Sequence, residues 1–313
     1  MNRFRKENKS VIFISHDLDE IMEVCDTLTV LRDGKIIRTF EKAEFEAGAI
    51  RASMIGRELQ GDYYRSDFQA SSQPEVALDV RNLVYEDRLK GISFQVHKGE
   101  IVGIGGLAHC GMHSLGKVCF GALKPEEGSV TVEDGTIIDS PAIAMKKRVG
   151  YVSKDRDVES LCLNASIEDN ISIAGMSEFA INNFLILKNR EKKYVNHQIE
   201  ELSIKCAGRD QSVSQLSGGN KQKVVFGKWI GCGSEILILD CPTRGVDIGV
   251  KQAMYQLMVK LKNEGKSILM ISEEMPELIG MSDRILIMKN GEVSAEFERS
   301  ETLSDAQIIE YMI

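Results

Sequence analysis

Gln215-Leu216-Ser217-Gly218-Gly219-Asn220-Lys221-Gln222-Lys223 is the stretch from which this chain is best read. A small hydroxyl and two glycines open a predicted helix whose apolar positions are Val224, Val225, Phe226, Trp229 and Ile230. Gly231 follows where a left-handed C-cap is expected. A bare Ser-Gly-Gly at a helix start leaves several backbone N–H groups unpaired beside the positive end of the helix dipole. That is an anion site, and phosphate is its usual guest. A capped surface helix explains these residues equally well on their own.

The segment that follows decides between the two. Glu235-Ile236-Leu237-Ile238-Leu239-Asp240 is a short apolar run ending in a carboxylate, as expected of a buried parallel strand presenting Asp at its C-terminal end. Cys241-Pro242-Thr243-Arg244-Gly245-Val246-Asp247 comes next. The pair LSGGN-K-Q-K and ILILD-x-PTRGVD resembles the ATP-binding subunits of the ABC superfamily. The Asn after the glycines and the TRGVD loop are similar to the branch that drives import of simple sugars. The resemblance covers most of the chain. It implies an α/β P-loop NTPase fold: a mostly parallel sheet flanked by helices, with an antiparallel β subdomain and a helical subdomain.

An internal repeat divides the chain. Val11-Ile12-Phe13-Ile14-Ser15-His16-Asp17 reads as a strand ending in Ser-His, followed by a helix with Ile21, Met22 and Val24, a strand Leu28–Leu31 and a turn at Gly34. The same layout recurs from Ile268-Leu269-Met270-Ile271-Ser272-Glu273 through Ile285–Met288 to Gly291. Ser15 aligns with Ser272, Asp26 with Asp283 and Gly34 with Gly291, at a constant offset of 257. Two copies of one large domain are expected, with only the end of the first present. Residues 1–62 are then the remnant of a first ATPase domain, 63–75 a polar linker and 76–313 a second domain, whose helical subdomain spans about 164–215. Within that subdomain Ile167, Ile171, Ile173, Phe184 and Leu185 are expected to be buried. Lys188-Asn189-Arg190-Glu191-Lys192-Lys193 reads as a solvated helix face.

Ala77–Val84 reads as an alternating strand, with Tyr85 as an edge-strand aromatic or an adenine platform. Ile101-Val102-Gly103-Ile104-Gly105-Gly106 and the glycine-rich turn to Ser114 lie where a phosphate loop is expected. Gly106 and Gly111 match G-x-x-x-x-G-K-[ST], but Met112 replaces Lys and His113 replaces the Ser/Thr. The backbone cradle survives this change; the charged clamp and the Mg²⁺-bound hydroxyl do not. Loss of a charge-assisted hydrogen bond, about 1.5–3 kcal/mol, weakens nucleotide binding by about ten- to a hundred-fold.

The resemblance implies further roles. Asp240 is the Mg²⁺ carboxylate. Cys241 stands where the family has the Glu that polarises water, a loss worth about 10²–10⁴ in rate. His16 stands at the switch-histidine position, and its counterpart in the second domain is Glu273. Lys154, in Val149-Gly150-Tyr151-Val152-Ser153-Lys154-Asp155-Arg156, replaces the usual Gln or Glu of the loop that couples nucleotide to the permease. Met112, Cys241 and Glu273 together predict a hydrolysis-impaired second domain that still offers Ser217, Gly218, Gly219, Asn220 and Asp247 to a partner's site. ATP and Mg²⁺ are the implied cofactors. The implied partners are the other ATPase half or a second ATPase chain, transmembrane permease subunits and, indirectly, a periplasmic or lipid-anchored sugar-binding protein. The expected location is the cytoplasmic face of the membrane. A truncated, non-hydrolysing fragment and a non-transport ATPase are the alternatives.

Composition narrows the classes. A net charge of −8 over 313 residues argues against a nucleic-acid surface. No apolar run reaches the about 18 residues a spanning helix needs, and the first nine residues are too polar for a signal peptide. Seven scattered cysteines form no CxxC pair, so no zinc ribbon or disulfide framework is indicated. His109-Cys110-Gly111-Met112-His113 is read as no metal cluster, because no complementary second pair exists elsewhere in the sequence.

Overall fold

The computed structural model describes every residue except 1, 8, 16, 17, 33, 56–62, 69, 70 and 182–184. Residues 1–63 with 247–253 make one compact unit, and 64–246 with 254–313 make the other. In the first unit, β1 (Thr27–Arg32) and β2 (Lys35–Glu41) form an antiparallel hairpin. Leu28, Val30 and Phe40 pack there with Leu18, Ile21 and Ile50 in a small core.

The strands of the second unit are, in chain order, β3 (Val76–Tyr85), β4 (Leu89–His97), β5 (Ile101–Gly106), β6 (Glu127–Val132), β7 (Val149–Val152), the two-residue β8 (Ala180–Ile181) and β9 (Leu185–Ile186), β10 (Ile236–Asp240), β11 (Ser267–Ile271), β12 (Arg284–Lys289) and β13 (Glu292–Glu298). Six of them make the central sheet in the order β13-β12-β5-β11-β10-β7, parallel except for the last hairpin. β5, β7, β10 and β11 are buried along their whole length. Their unbroken apolar runs are what a sheet covered on both faces requires. β4, β3 and β6 form a separate antiparallel sheet with β3 in the middle. Tyr85 therefore ends a central strand, not an edge strand.

Parallel pairing brings distant residues to one edge. Asp240 pairs with Ile271, Leu239 with Val152 and Ile271 with Ile104. The loops leaving β5, β7, β10 and β11 start side by side, the usual place for a ligand in an open α/β sheet.

The repeat is reproduced in three dimensions. Helix Leu18–Val24, β1 and β2 match helix Met275–Met281, β12 and β13 with both ends of each element displaced by 257 residues. Even the register irregularity recurs, between Val30 and Leu31 and between Ile287 and Met288. The expected strand at Val11–Ile14 does not form, and Ile12 and Ile14 are 93% and 92% exposed. Its counterpart β11 lies between β10 and β5, whereas among the described residues no strand pairs with 9–15 to supply a ladder.

The helical portion contains Ile167–Ser172, Met176–Phe179 and Lys188–Glu201. Ile167 and Ile171 are fully buried. Ile173 and Leu185 are exposed, against expectation. Ile173 is the C-cap of its helix, off the face that Ile167 and Ile171 share, and Leu185 lies in the short β8–β9 pair. Phe184 lies outside the described residues. Lys188, Asn189, Arg190, Lys192 and Lys193 are solvated, but Glu191 turns inward and accepts from Lys188 at 2.9 Å.

Helix Gly218–Gly231 buries Val224, Val225, Phe226 and Trp229 and leaves Ile230 half-buried. Gly231 is its last residue and is not left-handed. The reversal falls two residues later at Gly233, φ +72°. Gly231 is constrained for another reason: a Cβ there would lie 2.6 Å from the Tyr194 hydroxyl.

Beneath the sheet, Asp283 is buried and compensated from three sides. Arg65 Nη2 reaches it at 2.9 Å, Lys262 Nζ at 3.0 Å and the Ile101 N–H at 2.8 Å. A buried carboxylate persists on such pairing.

Candidate nucleotide site

The loop after β5 has the shape of a phosphate cradle. A Cβ at Gly106 would meet Cys110 Sγ and the Met288 carbonyl, both at 2.5 Å. Gly111 stands at φ +103°, where a Cβ would fall 2.1 Å from the Arg88 carbonyl. Helix Met112–Cys119 starts there, and Arg88 donates to Ser114 Oγ at 3.3 Å. A cavity of about 220 Å³ opens between Arg88 and this turn, lined by His109, Cys110 and His113 among others.

The side chains around the cradle form a closed set of their own. His113 Nδ1 lies 2.7 Å from Asp240 Oδ1, with its ring's other nitrogen 3.4 Å from Glu273 Oε1. Lys154 Nζ donates to Glu273 Oε1 at 2.6 Å and stands 3.0 Å from His113 Nε2. Tyr151 donates its hydroxyl to Asp240 Oδ2 at 3.2 Å. Cys241 is buried beside them at φ +49°, a left-handed backbone that costs a Cβ-bearing residue about 1–2 kcal/mol. Burial, then the Asp240 and Glu273 charges, raise the Cys241 thiol well above its ordinary range, so it stays protonated and offers no general base. Burial and Asp240 likewise raise the Tyr151 phenol. The hydrogen bond from Lys154 holds the Glu273 carboxyl below its ordinary range.

Met112 also lines the cavity but is only 1% exposed, so the residue at the clamp position is packed into the core and offers no charge to a phosphate. Mg²⁺ is a hard ion that takes oxygen ligands. Beside Asp240 the chain places an imidazole nitrogen and a thiol instead, and these residues do not fit Mg²⁺. The cradle backbone still suits a phosphate.

The expected helix start at Ser217-Gly218-Gly219 forms. Ser217 caps its helix by accepting from the Asn220 N–H, and the Asn220 side chain donates back to Ser217 Oγ at 2.9 Å. Arg156 wedges against this start. It donates to the Arg244 carbonyl at 2.6 Å and the Gly245 carbonyl at 3.3 Å, and a Cβ on Gly218 would lie 2.9 Å from its guanidinium. Lys221 pairs with Asp157 at 2.9 Å. Asp247 accepts from the Val250 N–H at 3.0 Å, capping the helix that begins at Ile248.

His113, Asp240, Cys241, Lys154 and Glu273 are thus brought together, with Gly106, Gly111 and Ser114 forming the adjoining turn. Ser217–Asn220 makes no hydrogen bond or ion pair with that cluster among the described residues. His16 lies outside the described residues. Sequence reasoning missed Tyr151, Arg156 and Arg88. Tyr151 pairs with Ile238 across β7 and β10, a register no single sequence reveals. His113, Asp240 and Cys241 each offer a potential ligand atom, all within 4.8 Å of one another, a grouping between residues more than a hundred positions apart that the local sequence does not announce.

Residues 89–244 match the ABC transporter family, and the fold is that of an ATP-binding cassette: the chain belongs to this family of P-loop NTPases. A nucleotide-free cassette from an ABC transporter superposes with a TM-score of 0.62 at 23% identity, covering 76% of this chain and 99% of that one. A dimeric post-hydrolysis cassette bound to ADP and Pi gives 0.61 at 20% identity, covering 71% and 98%.

Within the family, the chain is similar to the ribose import ATP-binding protein RbsA of Clostridium tetani (strain Massachusetts / E88), 38% identical over 314 residues, covering 100% of this chain and 61% of that protein. RbsA of Bacillus subtilis (strain 168) is 37% identical over 302 residues, covering 96% of this chain and 60% of the relative. The chain therefore spans about three-fifths of the length of these relatives.

Proposed function

We propose that this chain is part of the ATP-binding component of an importer for simple sugars, in which the second cassette lends its signature to a partner's site while its own site is impaired in hydrolysis. One observation carries the impairment. The imidazole of His113 lies 2.7 Å from the carboxylate that binds Mg²⁺ in the family, with a protonated thiol next to it and no lysine at the clamp. The exposed Ser217, backed by Arg156 and Lys221, supports the donor role. The names of the relatives support a pentose such as ribose as the cargo.

The working arrangement follows from these roles. Ser217 and the N–H groups of Gly218 and Gly219 would meet the phosphates held by the other cassette, and closure of the pair would drive permease subunits at the cytoplasmic face of the membrane. Among the described residues no helix is long and apolar enough to cross a membrane.

The test is ATP turnover by the chain alone and with the N-terminal cassette of a ribose-import relative added. No turnover alone, turnover on mixing, and its loss on Ser217→Arg support the reading. Turnover by the chain alone refutes the impaired site. A second reading, a non-hydrolysing interaction module, is favoured by the burial of Met112 and would show no turnover in either case.

A further inference from the structure

We propose that His113, Asp240 and Cys241 form a binding site for a soft or borderline divalent metal of the Zn²⁺ class, in the place where the family holds Mg²⁺. One ligand atom from each residue lies within 4.8 Å of the other two. Tetrahedral zinc, with bonds of about 2.0–2.1 Å to nitrogen or oxygen and about 2.3 Å to sulfur, needs its ligands about 3.3–3.6 Å apart. Shifts of about an ångström are enough: the His113–Asp240 pair opens slightly and the thiol closes in. The donor set is one imidazole nitrogen, one thiolate and one carboxylate oxygen. That combination selects Zn²⁺ or Co²⁺ over Mg²⁺. Three protein ligands leave the fourth tetrahedral position for water.

The surroundings suit such a site. With a metal on Nδ1, the ring proton sits on Nε2, 3.4 Å from Glu273 Oε1; the Lys154 ammonium, 3.0 Å from that nitrogen, has to turn toward Glu273 alone for the carboxylate–histidine–metal arrangement common in proteins to form. Lys154 holds that carboxylate in place. Tyr151 fixes the second oxygen of Asp240. A neutral His113 ring moves its proton from Nδ1 to Nε2 as the metal takes Nδ1, and the Cys241 thiol gives up its proton to solvent; nothing is oxidised or reduced.

The experiment needs no nucleotide, so it succeeds or fails independently of the transport reading. The purified chain, stripped with a chelator, is titrated with Zn²⁺ and, separately, with Co²⁺. Expected are one tightly bound Zn²⁺ per chain, unaffected by millimolar Mg²⁺, and a Co²⁺ complex with tetrahedral visible bands and a thiolate charge-transfer band in the near ultraviolet. Cys241→Ser and His113→Gln should each weaken Zn²⁺ by about a hundred-fold or more, and Tyr151→Phe by about ten-fold. Cys162→Ser, at an exposed thiol, should leave the charge-transfer band unchanged. If Cys241→Ser does not fold, as judged by circular dichroism, His113→Gln at the half-exposed ring carries the comparison. Absence of tight one-to-one binding, or binding that survives loss of His113, overturns the proposal.

Discussion

Lys154 and Glu273, 119 residues apart in the chain, are joined by a 2.6 Å hydrogen bond that closes the rim of the candidate site. The bond favours the ionised carboxylate, so the folded-state pKa of Glu273 lies below its unfolded value near 4.5. The sign follows from linkage: the contribution is present above pH 4.5 and lost as the pH falls through the folded value. The pair is part-exposed, so its worth is at most about 1 kcal/mol. Unfolding free energies of the wild type and Glu273→Gln from urea titration should differ by up to that amount at pH 7 and converge in acid. A difference that persists in acid would show that the bond is not its source.

Gly111→Ala tests the cradle. The new methyl group would meet the Arg88 carbonyl in a backbone conformation that alanine disfavours, and neither obstacle is a movable side-chain end. A loss of at least about 2 kcal/mol is expected, read as a fall in melting temperature.

Met112→Lys restores the lysine of the family motif, with His113 still in the Ser/Thr position, but not its chemistry. The side chain at this position is in the core, and an ammonium there should cost about 2–4 kcal/mol or titrate well below its ordinary range. No ATP turnover should appear, and a thermal melt should show the lost stability.

Arg65→Ala removes one of two cations from the buried Asp283. Lys262 remains, so the loss should sit at the lower end for broken buried pairs, about 3 kcal/mol, seen by denaturant unfolding. Little change would place the weight of the cluster on Lys262.

The signature helix, the Asp240 strand and the repeat were legible because their patterns are local: a cap, a period, an offset. The hairpin β1–β2 formed as read because it pairs with itself. Val11–Ile14 did not, because a parallel strand depends on neighbours distant in sequence. The same limit hid the cluster. Nothing near His113 in the chain announces Asp240 and Cys241; the parallel order of β5, β11 and β10 delivers them. Ile173 and Leu185 were misread because apolar character alone does not say which side of a short element faces inward.

Trp229 is the one tryptophan in the sequence. Its ring meets Phe120 edge-on at 5.6 Å, and Phe120 stacks at 5.4 Å on Tyr151, whose hydroxyl rests on Asp240. The single indole thus stands two aromatic contacts away from Asp240, so whether anything occupies that carboxylate is testable through tryptophan emission, without any label.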